Sequence, residues 1–202
     1  MRSMRWQVLV ILLLAAAPLR GQSRPLVMID AGHGGDDAGV EHEGVEEKDL
    51  VLRLAFVLAS EMAEAGYDVA FTRTGDHAVD WPERQRLAEA ERAALLIMLH
   101  INGDEDRTLR GAEVYSNPSS PTGAAAARVF AETLRAEGTP VVEEDKPWEF
   151  LASSTVPTVM IEAAYMTHPE EGAAVRTAEF HHRLSRTLVR ATRAMLGDPP
   201  RR

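Results

Sequence analysis

The chain has 202 residues, a net charge of −9 from 31 acidic and 22 basic side chains, and no cysteine. Its length suits one domain of ordinary size. The lack of cysteine excludes thiolate nucleophiles, cysteine zinc sites and disulfides, so any metal must be held by histidine and carboxylate side chains. The excess of acid argues against nucleic acid as a partner, because duplex binding rests on basic side chains that neutralise phosphates.

The first 21 residues differ in composition from the rest. Arg2 and Arg5 precede an apolar run of ten residues, 8–17, which is followed by Pro18 and small residues. This order is typical of a secretory signal peptide, and the run is shorter than the ~20 residues of a transmembrane helix. We therefore expect residues 1–21 to be a signal peptide and residues 22–202 to form a single domain without a transmembrane segment. The mature chain would be exported and lie in the periplasm or outside the cell, with an uncleaved anchor as the alternative.

Short apolar runs alternate with segments of helical periodicity from residue 25 onwards. The runs that predict strands are 25–30, 68–72, 94–99, 112–115 and 157–161. The segments that predict helices are 47–65, 80 to about 92, 124–136 and 177–196. This alternation predicts an α/β fold of three layers, αβα, around a mostly parallel sheet of about six strands. Residues 138–148 fit neither pattern.

Four side chains suited to metal chemistry lie next to predicted element ends. His33 follows the first strand, His100 follows the run 94–99, Glu162 follows the run 157–161, and Glu47 opens the first helix. Open α/β sheets bind ligands outside the carboxyl ends of their strands. We therefore expect these side chains to meet at one edge of the sheet.

Two imidazoles and a carboxylate are the ligands of a catalytic zinc site that keeps one position open. Such an ion acidifies water and polarises a carbonyl group, and a further carboxylate is then needed to move the proton. His33, Glu47 and His100 are the expected ligands of one zinc ion, and Glu162 is the expected base. Glu46 has the same chemistry as its neighbour Glu47, so chemistry alone does not separate them.

Six segments match the pattern of one enzyme family in order and spacing. They are VMIDAGHGG (27–35), VEEKDLVL (45–52), FTRTGD (71–76), WPERQRLAEAERAALLIMLHIN (81–102), GAEVY (111–115) and VPTVMIEAAYMTHPEE (156–171). Over about residues 25–197 the chain resembles the zinc-dependent N-acetylmuramoyl-L-alanine amidases, which hydrolyse peptidoglycan. The resemblance implies a zinc-exopeptidase-like fold, a single catalytic domain, peptidoglycan as substrate, zinc on His33, Glu47 and His100, and a catalytic Glu162.

Two further polar residues are assigned to the surroundings of the metal. Asp30 is expected to orient His33, because a ligating imidazole usually needs an acceptor on its other nitrogen. Asn102 either binds substrate or caps the loop after its strand. The chain departs from the family pattern at Ala31, where proline is usual, at Ile101, where a small residue is usual, and at Ala152, where arginine is usual.

Two alternatives remain open at the level of the sequence. If Asp30, Asp36 or Asp37 bound a second metal, the site would resemble that of a two-zinc exopeptidase acting on peptides. A catalytically silent wall-binding module is disfavoured because all four required side chains are present. We expect a monomer with one zinc per chain.

The other histidines are interpreted as peripheral. His168, just past the last predicted strand, is a candidate for the cleft wall. The positions expected to be solvated are His42, His77, His181 and His182.

Overall fold

The structure, a computed structural model, describes residues 23–148, 151 and 155–200. The predicted signal peptide and Ala152 lie outside these residues. Within the described part, every helix is too short or too polar to cross a membrane.

Strands and helices alternate along the chain, as the sequence pattern predicts. The strands are β1 (Leu26–Ala31), β2 (Glu41–His42), β3 (Val45–Glu46), β4 (Asp68–Phe71), β5 (Leu95–Asn102), β6 (Ala112–Ser116), β7 (Val141–Asp145) and β8 (Thr158–Tyr165). The helices are α1 (Glu47–Glu64), α2 (Trp81–Ala90), α3 (Pro121–Ala136), α4 (Pro169–Ala174) and α5 (Ala178–Leu196).

Six strands form the main sheet in the order β4-β1-β5-β8-β6-β7. The first four run parallel to one another, whereas β6 is antiparallel to β8 and parallel to β7. The α/β class and the mostly parallel six-stranded sheet are thus confirmed. A separate hairpin, β2–β3, connects the exit of β1 to α1.

Helices cover both faces of the sheet. Helix α1 contributes Leu50, Leu54 and Leu58 at a spacing of four residues, and all three are fully buried against the sheet and against α5. Each such leucine contributes about 1.5–3 kcal/mol relative to an exposed one. The opposite face packs Met28 and Met98 against α2 in a smaller apolar cluster. The sheet is therefore a buried middle layer between helices.

Two strands extend further than the apolar runs predict. β5 continues to Asn102 and β8 to Tyr165, so His100 and Glu162 lie within strands rather than beyond them. The predicted ends were wrong because a polar residue was taken as the end of the strand. Here the backbone pairing continues, and His100 is the register partner of Glu162 on the neighbouring strand.

Four elements escaped prediction. β7 forms the sheet edge within 138–148, and its polar VVEED sequence hides it. The two-residue strands β2 and β3 are joined through Glu43 and Gly44, which both have positive φ, as a tight hairpin turn requires. Helix α4 has only six residues, too few to show a helical period.

Candidate metal centre and catalytic cleft

Three side chains converge at the carboxyl edge of the sheet. His33 Nε2, Glu47 Oε1 and His100 Nδ1 lie 3.1 Å from one another in all three pairs. Ligands at zinc–nitrogen distances of 2.0–2.1 Å in a tetrahedron would be roughly 3.3 Å apart. Among the described residues this is the one His/Asp/Glu group close enough to share an ion. The donor set and its spacing fit zinc, and the expected candidate ligands do come together.

His33 holds a backbone conformation that is uncommon for a residue with a side chain. Its φ is +59°, in the left-handed region, where residues other than glycine are uncommon. Arg84 Nη2 donates to the His33 carbonyl at 2.9 Å, and His33 Nδ1 lies 2.9 Å from Asp37 Oδ2. These two contacts fix the backbone and the ring, so that Nε2 points at Glu47.

Glu47 is held from three sides. The backbone N–H of Ile101 donates to Oε1 and that of Val40 donates to Oε2, both at 2.9 Å. Burial opposes the charge, but hydrogen bonds from His100 and His33 outweigh it and lower the pKa of Glu47 to about 2. The carboxylate is therefore ionised and positioned without a metal. Its neighbour Glu46 is the N-cap residue of α1 and forms an ion pair with Lys48.

The ring of His100 is packed between a glycine and an indole. A Cβ on Gly32 would lie 2.3 Å from His100 Cε1, so only glycine fits there. On the other side the Trp81 ring stacks at a centroid distance of 5.8 Å and an interplanar angle of 18°. A Cβ on Gly39, whose φ is +67°, would lie 2.4 Å from Glu47 Oε2. The glycines thus let the backbone approach the ligands.

Two buried arginines support the loop that carries His33. Arg73 donates to the carbonyls of Ala31 and Gly32, each at 2.8 Å, and Arg84 donates to those of Ala31 and His33 at 2.8 and 2.9 Å. Burial and the neighbouring Arg84 lower the pKa of Arg73. Carbonyl oxygens at the strand end and in the loop, which would otherwise be unpaired, are thereby satisfied.

Asp30 has a different role from the expected one. Its carboxylate accepts hydrogen bonds from Arg84 Nη1, at 2.6 Å, and from the Thr72 hydroxyl. The prediction that Asp30 orients His33 is wrong, because Asp30 lies on the strand and faces α2, while Asp37 in the loop reaches the imidazole. Asn102 Oδ1 accepts from the N–H of Gly103 at 2.8 Å, which is the loop-capping contact.

Glu162 lies in a row of ionisable residues across three strands. His100, Glu162 and Glu113 are register partners on β5, β8 and β6. Burial raises the pKa of Glu162 from 4.5 to about 7, partly opposed by His100, and Glu113 adds to the rise. Its Oε2 is buried without a hydrogen-bond partner among the described residues. A carboxyl group with that pKa is suited to accept and release a proton near neutral pH.

Glu113 is kept in place by two tyrosines. The hydroxyls of Tyr115 and Tyr165 both donate to its carboxylate. These two hydroxyls are therefore engaged by Glu113, and Glu162 keeps a free oxygen beside the ligands.

A family model described as N-acetylmuramoyl-L-alanine amidase matches residues 27–193. The chain belongs to this family. It is therefore a peptidoglycan amidase by family, with a His–Glu–His candidate metal site.

Individual relatives of this amidase agree with the assignment. N-acetylmuramoyl-L-alanine amidase AmiA of Salmonella typhimurium is 24% identical over 215 residues, which cover 83% of this chain and 74% of AmiA. The amidase AmiC2 of Nostoc punctiforme has a TM-score of 0.80 at 27% identity over 87% of this chain and 99% of that one. The catalytic domain of CwlV from Bacillus (Paenibacillus) polymyxa has the same fold, with a TM-score of 0.79 at 23% identity over 86% of this chain and 99% of that one.

Several residues that build the site of this amidase were not singled out from the sequence. These are Arg73, Arg84 and Trp81, which lie in matched segments and whose contacts become visible only in three dimensions. Asp37 was named only as a ligand of a second metal, and its contact with His33 was not foreseen. Pairs such as Asp30 and Arg84 are far apart in the chain, and no periodicity links them.

The peripheral histidines divide into two groups. His42 and His168 line a cavity beside the cleft. His181 was expected to be solvated but is buried, with Nε2 at 2.7 Å from the carbonyl of Val175, so that prediction was wrong.

Proposed function

We propose that this enzyme hydrolyses the amide bond between N-acetylmuramic acid and L-alanine in peptidoglycan, with one zinc ion on His33, Glu47 and His100 and with Glu162 as general base. The observation that carries the proposal is the triangle of ligand atoms, 3.1 Å on each side, on the strand next to Glu162. The family match over residues 27–193 supplies the substrate class.

The proposed chemistry divides the work between the ion and the protein. A bound zinc ion supplies acidification of water and polarisation of the scissile carbonyl. Glu162 takes the proton of the attacking water at its free Oε2 and delivers it to the leaving nitrogen of L-alanine. Asp37 accepts from His33 Nδ1, which leaves the Nε2 lone pair of that ring facing the site.

We further propose that the enzyme acts outside the cytoplasm. The charged, apolar and small-residue order of residues 1–21 supports export, and the substrate class is a wall polymer. Fractionation of cells that produce the full chain, with detection of the mature N-terminus, tests this proposal.

Replacement of the base gives the first prediction. Glu162→Ala should fold and bind zinc like the parent yet hydrolyse purified sacculi about 10²–10⁴ times more slowly, since the proton transfer is lost. The matched control is Glu170→Ala, an exposed carboxylate on α4, which should keep parental activity. Dye release from labelled sacculi and the zinc content of the purified protein are the measurements. If Glu162→Ala digests sacculi at the parental rate, this mechanism is wrong.

The reaction class is tested by the products. Mass spectrometry should find glycan free of peptide together with intact stem peptides. Release of free amino acids and two zinc ions per chain would instead indicate an exopeptidase.

A further inference from the structure

A cavity of about 290 Å³ lies beside the hairpin β2–β3. Four of its lining side chains are arginine or histidine: His42, Arg107, His168 and Arg176. We call it the basic pocket. Glu43 is the one acid among the described residues that line it. Two arginines against one glutamate leave an excess of positive charge here, on a chain with a net charge of −9.

The basic pocket opens on the same edge of the sheet as the metal centre. Its walls come from the hairpin after β1, from the loop after β5, and from the loop after β8 together with helix α4 and its end. Glu43 is four residues from Glu47, and Met166 is four residues from Glu162, so each is at most about 14 Å away from the site by chain length. An extended peptide covers ~3.3–3.6 Å per residue, so a group about four residues from the scissile bond spans the whole of this upper limit, and a nearer group spans any shorter separation.

Arg107 brings a cation that the described part of the protein does not neutralise. Its Nε donates to the Thr167 carbonyl at 3.0 Å, and its Nη2 lies 3.5 Å from His42 Nε2. No carboxylate of the described residues lies within 4 Å of its guanidinium. Arg176, in contrast, pairs with Glu43 at 3.1 Å. One of the two guanidinium groups therefore keeps donors for a ligand.

His168 adds a second donor. Its Nδ1 accepts the backbone N–H of Glu171 at 3.3 Å, as the N-cap of α4. With Nδ1 as acceptor, the N–H of the ring is on Nε2. A guanidinium and an imidazole N–H on one cavity are the groups that bind a planar carboxylate through charge-assisted hydrogen bonds.

We propose that the basic pocket binds a carboxylate of the stem peptide, on the leaving side of the scissile amide. This inference rests on the proposed amidase function and specifies which substrates it favours. Stem peptides with free carboxylates should bind here. When the same carboxylates are converted to amides, Arg107 should contribute nothing to the binding affinity.

The test compares two soluble muropeptides that differ only in carboxylate or carboxamide groups on the stem. Arg107→Gln should raise KM for the carboxylate form about tenfold, the scale of a lost charged hydrogen bond, with kcat nearly unchanged. KM for the amide form should stay at the parental value. Arg107→Glu should raise KM for the carboxylate form further, because it adds a repelling charge.

Direct binding gives a second measurement that needs no turnover. Calorimetric titration of the enzyme with the released stem peptide should show weaker binding for Arg107→Gln in the carboxylate form alone. Arg186→Gln, on the outer face of α5, is the control and should change neither quantity.

The two proposals fail in different ways. Equal effects of Arg107→Gln on KM for both muropeptides, or no effect on either, would overturn the proposal that the basic pocket binds a carboxylate. The proposed amidase function would not be affected. If the parent enzyme cleaves neither muropeptide while carboxylate-dependent peptide binding persists, the proposed function fails and the pocket stands.

Discussion

Glu162, the proposed base, carries a thermodynamic cost. An unfolded carboxyl group with an ordinary pKa of 4.5 is ionised at neutral pH, whereas burial holds the folded group at about 7. Ionisation of Glu162 therefore destabilises the folded state progressively from pH 4.5 to 7, and fully above 7.

A stability measurement follows from this difference. In zinc-free protein with chelator present, Glu162→Gln should raise the free energy of unfolding by up to about 3 kcal/mol at pH 8.5 and by much less at pH 4.5. Urea unfolding at the two pH values checks it, with Glu170→Gln as the exposed control. An equal gain at both pH values would show that ionisation is not the cause.

Replacement of Gly32 should impair zinc binding, although Gly32 is not itself a ligand. Gly32→Ala places a methyl group 2.3 Å from the ring of His100, so the imidazole must leave its position. Zinc affinity should fall about 10–100-fold, the scale found when the support of a ligand is lost. Competition with a chromophoric chelator measures this. Gly75→Ala is the control, since its nearest neighbour would be 3.7 Å away, and it should bind zinc normally.

The candidate ligands could be predicted from the sequence, but the residues that hold them in place could not. His33, Glu47 and His100 stand beside element ends, where strand topology alone brings side chains together. The predicted partner of His33 was wrong because the choice between Asp30 and Asp37 depends on which way the chain turns at a positive φ. That turn depends on buried arginines far along the chain.

At the scale of elements, the loop after β1 and the helix α2 form one unit through Arg84. Its guanidinium joins Asp30 on the strand to carbonyls of Ala31 and His33 in the loop. The pair is almost fully buried, so loss of one partner leaves the other charge without compensation.

Arg84→Gln should therefore destabilise the fold by about 3–5 kcal/mol, measured by urea unfolding. Asp30→Asn in the same chain should recover part of that loss, because it removes the stranded charge. Arg86→Gln, on the exposed side of α2, is the control and should leave the unfolding midpoint in place. If the double variant is no more stable than Arg84→Gln, the uncompensated charge of Asp30 is not the cause of the lost stability.

Element types were predictable wherever the period was long or the run was apolar. Helix α1 and strand β1 agree with the sequence pattern to within a residue or two. β7 was not predictable, because an edge strand needs no apolar side chains and is recognised only by its partner β6. Likewise the strands of the hairpin β2–β3 have two residues each, which is too short for a periodic pattern to be recognised in the sequence.

At the scale of the molecule, the three candidate ligands join the exit of β1, the start of α1 and the end of β5. A metal on them links parts that would otherwise separate on unfolding, so it should stabilise the whole domain. Zinc at a hundredfold excess over its Kd should contribute about 2.7 kcal/mol, a rise in Tm of roughly 5–10 °C.

Thermal unfolding with zinc and with chelator tests this prediction. His33→Ala should lose the shift, whereas His77→Ala, an exposed histidine outside the cluster, should keep it. An equal shift in His33→Ala would place the stabilising zinc elsewhere.

The sheet class followed from alternating strands and helices, but the strand order did not. The periodicity of a strand indicates which of its faces is apolar. It does not indicate which other strand lies next to it in the sheet. The reversal of β6 against β8 is such a choice, and it puts Glu113 opposite Glu162.

The last strand in the chain, β8, occupies a place inside the sheet, between β5 and β6. The pair β6–β7 therefore cannot attach to the earlier strands until synthesis has passed residue 165. Glu162 arrives on that same strand, long after the ligands are complete at residue 100. The candidate metal ligands are thus complete in the chain before the proposed base, and the base reaches them only when the last strand is inserted between β5 and β6.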